Sequence, residues 1–322
     1  MTPIRTKTVT ITTILVAVVG LSVLLAVPSE VKSPRGDTDA RGRSGVDLMA
    51  RVTDYTARFT AGSGYTEPSQ QSRETVARGV TQLLDGRRTT AQRTLGDVDF
   101  TVRTVTDGTT GRRYTEIADR SDDGPAPRGW GRVYIAQDGT AAGRRWVAQV
   151  PHPVADRNTE RLGVGVLRGA RGGILMLAGA HRAAGEGNAA DVAHREDTVF
   201  EAVWTALAER GLPAVQVHGF ADDSAPRFDV IPSTGRGSLA RPEGRSLADA
   251  LADHGFTVCR AWTTSCPLAG RTNIQGRTAA DRHVPFLHVE FNHRTRTDKQ
   301  RTARAVEAVG RVTNLWQKGE RP

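Results

Sequence analysis

The chain has 322 residues, of which 38% are hydrophobic and 25% charged, a balance typical of a folded globular body and not of a disordered chain. Its formal net charge of +9 suggests a polyanionic partner, but the arginines are scattered and are not interleaved with aromatic residues as in a single-strand binding surface. Only four of the 44 basic residues are lysine, so the charge reflects an arginine-rich composition, and we expect no nucleic-acid partner.

Residues 1–27 contain an uncharged apolar stretch from residue 8 onward, preceded by Arg5 and Lys7. Its length matches the ~20 residues that a helix needs to cross a membrane, and the basic flank is expected to stay on the cytoplasmic side. A cleaved signal peptide is the alternative, although a cut after Ala26 would put Leu24 where a small residue is preferred. Both interpretations predict an exported body, which is either anchored to the cell membrane by a single pass or secreted.

The segments that follow differ in composition and period. Residues 28–45 are polar and aperiodic, which predicts a flexible linker. Residues 46–93 show helical spacing, which predicts a helical lead-in packed on the main domain. From Val98 to Ile135, short alternating runs are separated by Gly and Asp clusters, and this pattern is typical of antiparallel strands.

After Val150 the pattern becomes an alternation of strand, loop and helix. The predicted strands cover residues 173–178, 214–217, 228–231, 256–260 and 286–291, and the predicted helices cover residues 197–210, 246–253 and 298–316. This alternation predicts an α/β domain over residues 94–318, in which a mixed sheet carries helices on both faces. Ligands gather at the carboxyl ends of strands in such sheets, where this chain places His152, His181, His218 and Glu290.

The loop Pro151–Glu160 follows the apolar run 146–150 and carries a histidine and two carboxylates. A catalytic zinc site uses three nitrogen or oxygen ligands and keeps one position open. His152 with Asp156 or Glu160 can supply two of them, unless Asp156 only caps the helix that follows. His218 comes directly after a buried strand and suits a third ligand, although a buried core histidine is the alternative.

A Gly-rich loop follows the strand at residues 173–178 and carries His181, Arg182, Asp191 and His194. These side chains could orient a metal ligand, form a second metal site or contact the substrate. The alternative is a mobile loop with capping residues.

The last two groups lie toward the end of the chain. Glu290 stands in a strand, where a carboxylate beside a metal-bound water can act as general base. Arg294 and Arg296 beyond it could bind a substrate carboxylate, and ordinary surface charges are the alternative. The loop 272–277 offers Asn273 and Arg277 for the same purpose.

The chain has two cysteines, Cys259 and Cys266, with six residues between them. In an oxidising exterior they could form a disulfide, and a pair of free buried thiols is the alternative.

The order of these motifs resembles that of a known group of enzymes. His-x-x-x-Asp-x-x-Thr, His-Gly after a strand, Asn-Ile-x-x-Arg and a Glu-bearing strand followed by Arg are similar to the zinc-dependent poly-γ-glutamate hydrolases and, more loosely, to the N-formylglutamate amidohydrolases. The resemblance spans roughly residues 145–300 and implies a zinc carboxypeptidase-like fold. It implies zinc ligands at His152, His218 and Asp156 (with Glu160 as the rival), a general base at Glu290, and recognition of a substrate carboxylate or the oxyanion by Arg277 and Arg296.

We therefore expect an exported Zn²⁺ hydrolase that cleaves an amide bond, of peptide or γ-glutamyl type, in an anionic peptide or polymer that carries carboxylates. One alternative is a non-catalytic cell-envelope protein that binds an anionic wall polymer. The other is a metal-dependent phosphoesterase with a second metal at His181, Asp191 and His194.

Overall fold

The computed structural model describes residues 45–138, 144–320 and 322. The predicted anchor or signal peptide and the predicted linker, apart from residue 45, lie outside the described residues. Among the residues that are described, no helix is both long and apolar enough to cross a membrane.

A mixed eight-stranded sheet organises the fold. Its strands are β1 Phe100–Thr106, β2 Arg113–Asp119, β3 Arg132–Ala136, β4 Trp146–Val150, β5 Gly173–Leu177, β6 Ala214–Phe220, β7 Val230–Ser233 and β8 Phe286–Asn292, in the spatial order β1-β2-β3-β5-β4-β6-β8-β7. The inner strands β5, β4, β6 and β8 are parallel, whereas β1 to β3 and the edge strand β7 run antiparallel to their neighbours. The predicted mixed sheet is therefore confirmed.

Helices cover both faces of this sheet. They are α1 Leu48–Thr56, α2 Gln70–Leu84, α3 Arg88–Gly96, α4 Thr159–Gly169, α5 Val199–Ala208, α6 Arg241–Asp253, α7 Ile274–Asp281, α8 His293–Thr297 and α9 Lys299–Lys318. One hydrophobic cluster contains buried residues of α1, α4, α6 and α9, such as Leu162 and Val309. The other contains residues of α2, α3, α5 and α7, such as Trp204 and Leu95, so the lead-in divides between the two faces.

Three local predictions are wrong. Residues 256–260 form no strand of the sheet and pair only through an isolated bridge between Val230 and Val258. Helix α6 begins at Arg241 and not at Ser246, with a proline in its first turn, where the missing N–H has no intrahelical acceptor to lose. The predicted loop 272–277 contains the first turn of α7, because the Asn273 side chain accepts a hydrogen bond from Gly276 N and starts the helix there.

A disulfide joins Cys259 to Cys266, which is the first of the two alternatives that the sequence left open. It lies in the segment that follows the isolated bridge, where Cys259 N donates to Val230 O. The disulfide therefore fastens an irregular segment beside the edge strand β7.

Candidate metal centre

The carboxyl ends of the parallel strands bring three predicted ligands together. His152 lies two residues beyond β4, Asp156 follows in the same loop, and His218 is the fifth residue of β6. Each offers one ligand atom, and these atoms lie within 4.8 Å of one another. All three residues are buried.

Asp156 Oδ2 lies 3.3 Å from His152 Nδ1 and 3.3 Å from His218 Nδ1. Two atoms bound tetrahedrally to one zinc ion, at about 2.0–2.1 Å each, are about 3.3 Å apart. These two spacings therefore match those between ligands of one zinc ion. Gly219 N also donates to Asp156 Oδ2, at 3.2 Å, and so fixes the carboxylate.

The second ring nitrogen of His152 and of His218, Nε2, lies within hydrogen-bond distance of a side-chain oxygen. His152 Nε2 is 2.8 Å from Asp191 Oδ1, and His218 Nε2 is 2.7 Å from Gln216 Oε1. Both oxygens are acceptors and lie closer than Asp156 Oδ2 does to the Nδ1 atoms, which favours the hydrogen on each Nε2 and leaves each Nδ1 free to bind a metal. Two ring nitrogens and a carboxylate oxygen thus converge, and positive charge is favoured at this point.

A second proton on His152 can supply part of this positive charge. Although burial alone would lower the pKa of His152, its contacts with Asp156 and Asp191 raise the pKa above its usual value. Burial lowers the pKa of His218 to about 4, so this ring is neutral at physiological pH. A metal ion would displace the extra proton from His152, as metals commonly do when they bind.

Glu290 lies beside this centre on β8, where its Cα pairs with that of His218 in the parallel ladder. Burial, reinforced by the Asp156 carboxylate, raises the pKa of Glu290 to about 8. Its Oε1 is 3.8 Å from Nε2 of His288, whose buried ring stacks on His218 with 4.5 Å between centroids. His218, His288 and Glu290 form a second group of ligand atoms within 4.8 Å of one another.

The Gly-rich loop reaches the same centre through three of its four predicted residues. Arg182 Nη2 donates to Asp191 Oδ2 at 2.6 Å, and His194 Nδ1 is 3.1 Å from the same oxygen. Arg182 Nη1 lies 3.4 Å from His152 Nδ1. His181 takes part in none of the potential metal-ligand groups among the described residues and accepts a hydrogen bond from Ala183 N. The predicted set of His181, Asp191 and His194 is therefore not assembled.

Arg296 does not have the substrate-binding role expected of it. Its guanidinium is 4% exposed and donates Nε to Phe291 O at 3.0 Å and Nη2 to Phe220 O at 2.8 Å. Its Nη1 donates to the carbonyl oxygens of Asp156 and Arg157. Arg296 therefore holds the loop Pro151–Glu160 in place, and each of its three guanidinium nitrogens already donates to a backbone carbonyl.

Three other predicted site residues lie away from the centre or are occupied. Asn273 is buried, caps α7 and donates Nδ2 to Gln216 Oε1 at 2.8 Å, so it is not available to a substrate. Arg277 is partly exposed on α7, with Nη2 3.8 Å from Glu196 Oε1. Glu160 is buried in the first turn of α4 and belongs to none of the ligand groups found in the described part of the chain, whereas Asp156 groups with His152 and His218, and Asp191 groups with His152 and His194.

Two residues of the site were not singled out from the sequence, Gln216 and His288. Both stand two residues before a candidate, in the series Gln-Val-His of β6 and His-Val-Glu of β8. Polar residues at alternate positions of an otherwise apolar buried strand share one face. This pattern is the signal that could have found them.

No protein-family model matches the chain, and no curated protein sequence does so. Solved structures do match. The N-formylglutamate amidohydrolase of Ralstonia eutropha JMP134 is 15% identical with a TM-score of 0.38, over 54% of this chain and 93% of that one. The metallo-carboxypeptidase of Pseudomonas aeruginosa is 13% identical with a TM-score of 0.36, over 72% and 68%. The succinylglutamate desuccinylase of Chromobacterium violaceum is 13% identical with a TM-score of 0.39, over 70% and 75%.

These neighbours are hydrolases, and two of them are of the kinds that the sequence resembles, an N-formylglutamate amidohydrolase and a metallocarboxypeptidase. Their TM-scores lie below 0.5, so the function has to be argued from the site itself.

Proposed function

We propose that this protein is a zinc-dependent hydrolase of amide bonds, with His152 Nδ1, Asp156 Oδ2 and His218 Nδ1 as the metal ligands. The observation that carries the proposal is the clustering of His152 Nδ1, His218 Nδ1 and Asp156 Oδ2, with each nitrogen 3.3 Å from the oxygen. Zinc bound there would supply Lewis-acid chemistry, polarising a carbonyl group and acidifying water. With three ligands from the protein, one coordination position is left for the reaction.

Glu290 is the proposed general base. Its carboxyl group is buried at the edge of the centre, and burial with the charge of Asp156 raises its pKa to about 8. A nearby divalent cation would lower this pKa toward neutrality, because it favours the ionised form of a carboxyl group. Glu290 would then accept a proton from water and deliver it to the leaving amine.

Arg182 is the guanidinium that reaches the site, instead of Arg277 or Arg296. Its side chain is 37% exposed, and its Nη2 is held by Asp191 Oδ2, while its Nη1 lies 3.4 Å from His152 Nδ1 and would be released when a metal binds that nitrogen. This position lets Arg182 donate hydrogen bonds to an oxygen that gains negative charge in the reaction. It would equally bind a substrate carboxylate, which supports an anionic peptide, γ-glutamyl or wall-polymer substrate.

The expected export of the body, by an uncleaved anchor or a cleaved signal peptide at residues 1–27, remains part of the proposal. Both alternative functions are less favoured by the geometry. A structural zinc site is usually closed by four ligands, whereas this one has three and an adjacent carboxylate. A second metal at Asp191 would have to displace the guanidinium of Arg182, and His181 is not in place to bind it.

The test is metal analysis of the purified full-length chain, followed by assays with γ-glutamyl and peptidoglycan-type amides. We expect one zinc per chain, and Glu290→Gln should retain the metal but lose activity by about 10²–10⁴-fold. Glu307→Gln, at an exposed position of α9, is the matched control. A chain without stoichiometric metal, or full activity in Glu290→Gln, would refute the proposal.

A further inference from the structure

We infer that Gln216 is a positioning residue that fixes the tautomer and the ring orientation of His218 through a directional network of buried amides. This inference deepens the proposed function. It rests on that proposal in one respect, the assignment of His218 Nδ1 as a metal ligand. It assigns a role to a layer of glutamine and asparagine side chains that the proposed mechanism does not otherwise use.

Gln216 stands two residues before His218 on β6, so the two side chains share a face of the strand. Gln216 Oε1 is 2.7 Å from His218 Nε2 and 2.8 Å from Asn273 Nδ2. If this atom is the amide oxygen, it can only accept, and because it lies closer to His218 than Asp156 Oδ2 does (2.7 against 3.3 Å), it favours the hydrogen of His218 on Nε2. The tautomer of His218 therefore depends on which way the Gln216 amide faces.

The amide of Gln216 can face only one way. Its Nε2 donates to Gln149 Oε1 at 2.9 Å and to Gln275 Oε1 at 3.0 Å. A flipped amide would set its NH₂ group against the NH₂ group of Asn273, and its oxygen against Gln275 Oε1. In a buried layer each such mismatch leaves a polar group unsatisfied, which destabilises the flipped orientation.

Two neighbours of Gln216, Gln275 and Asn273, are themselves oriented by hydrogen bonds to groups that cannot flip. Gln275 Nε2 donates to the backbone oxygen of Val192 and to Glu201 Oε2, each at 2.8 Å, so Gln275 must turn its oxygen toward Gln216. Asn273 Oδ1 accepts from the backbone N–H of Gly276 at 2.9 Å, so Asn273 must turn its NH₂ group toward Gln216.

A chain of fixed direction thus runs from the backbone to His218. This chain of hydrogen bonds leaves Nδ1 of His218 without a hydrogen, 3.3 Å from Asp156 Oδ2, before any metal binds. Hydrogen bonds of this kind orient metal ligands, and their loss typically weakens metal binding by 10–100-fold.

The first measurement is the ¹⁵N–¹H spectrum of histidine side chains in the metal-free full-length chain at pH 7, with His218 assigned by comparison with His218→Gln. We expect His218 to be neutral with its hydrogen on Nε2. A hydrogen on Nδ1 would overturn the inference. This result does not depend on catalysis, so it stands apart from any failure of the proposed hydrolase activity.

The second measurement compares zinc affinity in Gln216→Met and Gln149→Met by competition with a chelating dye. Both glutamines are fully buried and lie in the same layer, but only Gln216 contacts His218. Gln216→Met should bind zinc 10–100-fold more weakly than the wild type, and Gln149→Met within about threefold of it. Equal affinities in the two variants would overturn the inference.

A third variant serves if Gln216→Met does not fold. Gln216→Glu keeps an acceptor for His218 Nε2, so it should keep the Nε2–H signal. It should also bind zinc more tightly than Gln216→Met does. If Gln216→Met is unfolded, the zinc affinity of Gln216→Glu should lie within tenfold of that of the wild type. Loss of the Nε2–H signal in folded Gln216→Glu would count against the role of this acceptor.

Discussion

Replacing Glu201 by glutamine should stabilise the protein at alkaline pH, and increasingly so as the pH rises. Glu201 is 5% exposed on α5, where Thr278 Oγ1 donates to its Oε1 at 2.5 Å and Gln275 Nε2 donates to its Oε2 at 2.8 Å. Burial nevertheless outweighs these donors and raises the pKa of Glu201 to about 7. A glutamine can make the same contacts, because a threonine hydroxyl can accept as well as donate.

The magnitude follows from the difference between the folded and unfolded pKa. The carboxyl titrates at about 7 in the folded chain and at its ordinary value of 4.5 when unfolded. Its stabilising contribution is therefore fully present below pH 4.5 and is lost as the pH rises through 7. At about 1.4 kcal/mol per unit of pKa, the free energy of unfolding should fall by about 2–3 kcal/mol between pH 5 and pH 9, relative to Glu201→Gln.

Urea unfolding of the metal-free chain at pH 5, 7 and 9, at one ionic strength, measures this difference. Glu209→Gln is the matched control, because Glu209 directly follows α5 but is exposed and pairs only with Arg282 at the surface. Its stability relative to the wild type should not vary with pH by more than ~0.5 kcal/mol. If Glu201→Gln and the wild type differ by the same amount at pH 5 and pH 9, the reasoning about Glu201 is wrong.

Two further predictions concern the metal centre. In Gly219→Ala the new Cβ would lie 2.4 Å from Cζ of Arg296, so the guanidinium must leave its carbonyl acceptors, and we expect the free energy of unfolding to fall by about 2–4 kcal/mol. Gly310→Ala is the control, because its Cβ would meet nothing within 4 Å and its stability should not fall. Equal stabilities of the two variants would refute this account. Removal of metal by a chelator should leave the chain folded, because Asp191, Gly219 and Gln216 hold the ligands without it. Circular dichroism and thermal unfolding check this, and loss of the cooperative transition would instead indicate a structural metal.

The sequence was most informative where the period of apolar residues was clear. Short alternating runs predicted β1 to β3, a continuous apolar run predicted β5, and short, largely apolar segments predicted β6 and β8. It failed at the start of α6, where Pro242 and Gly244 look like helix breakers. Gly244 is in fact required by packing, because a Cβ there would lie 2.9 Å from the Trp262 ring. Packing of this kind joins residues that are distant in the chain and has no local pattern.

The same distinction applies to the candidate site. The rule that ligands gather at strand ends brought out His152, His218 and Glu290, because it depends only on strand direction. The roles of the arginines could not be predicted in this way. Whether a guanidinium faces a substrate or four backbone carbonyls depends on how loops fold over one another. Arg296 lies under the loop that carries Asp156, whereas Arg182 faces the candidate metal centre.

The candidate ligands are held by groups that do not bind the metal, and this bears on how the centre would work. Asp191 holds His152, Gln216 holds His218, and the backbone of the Asp156 loop is fixed by Arg296. Glu290 is set by the ladder that pairs β6 with β8, so its distance from His218 is fixed by the sheet itself. Such a centre does not need the metal in order to form. The binding energy of the ion is then not consumed in folding the chain, as it is in a structural zinc site, and the ion can keep an open coordination position for chemistry.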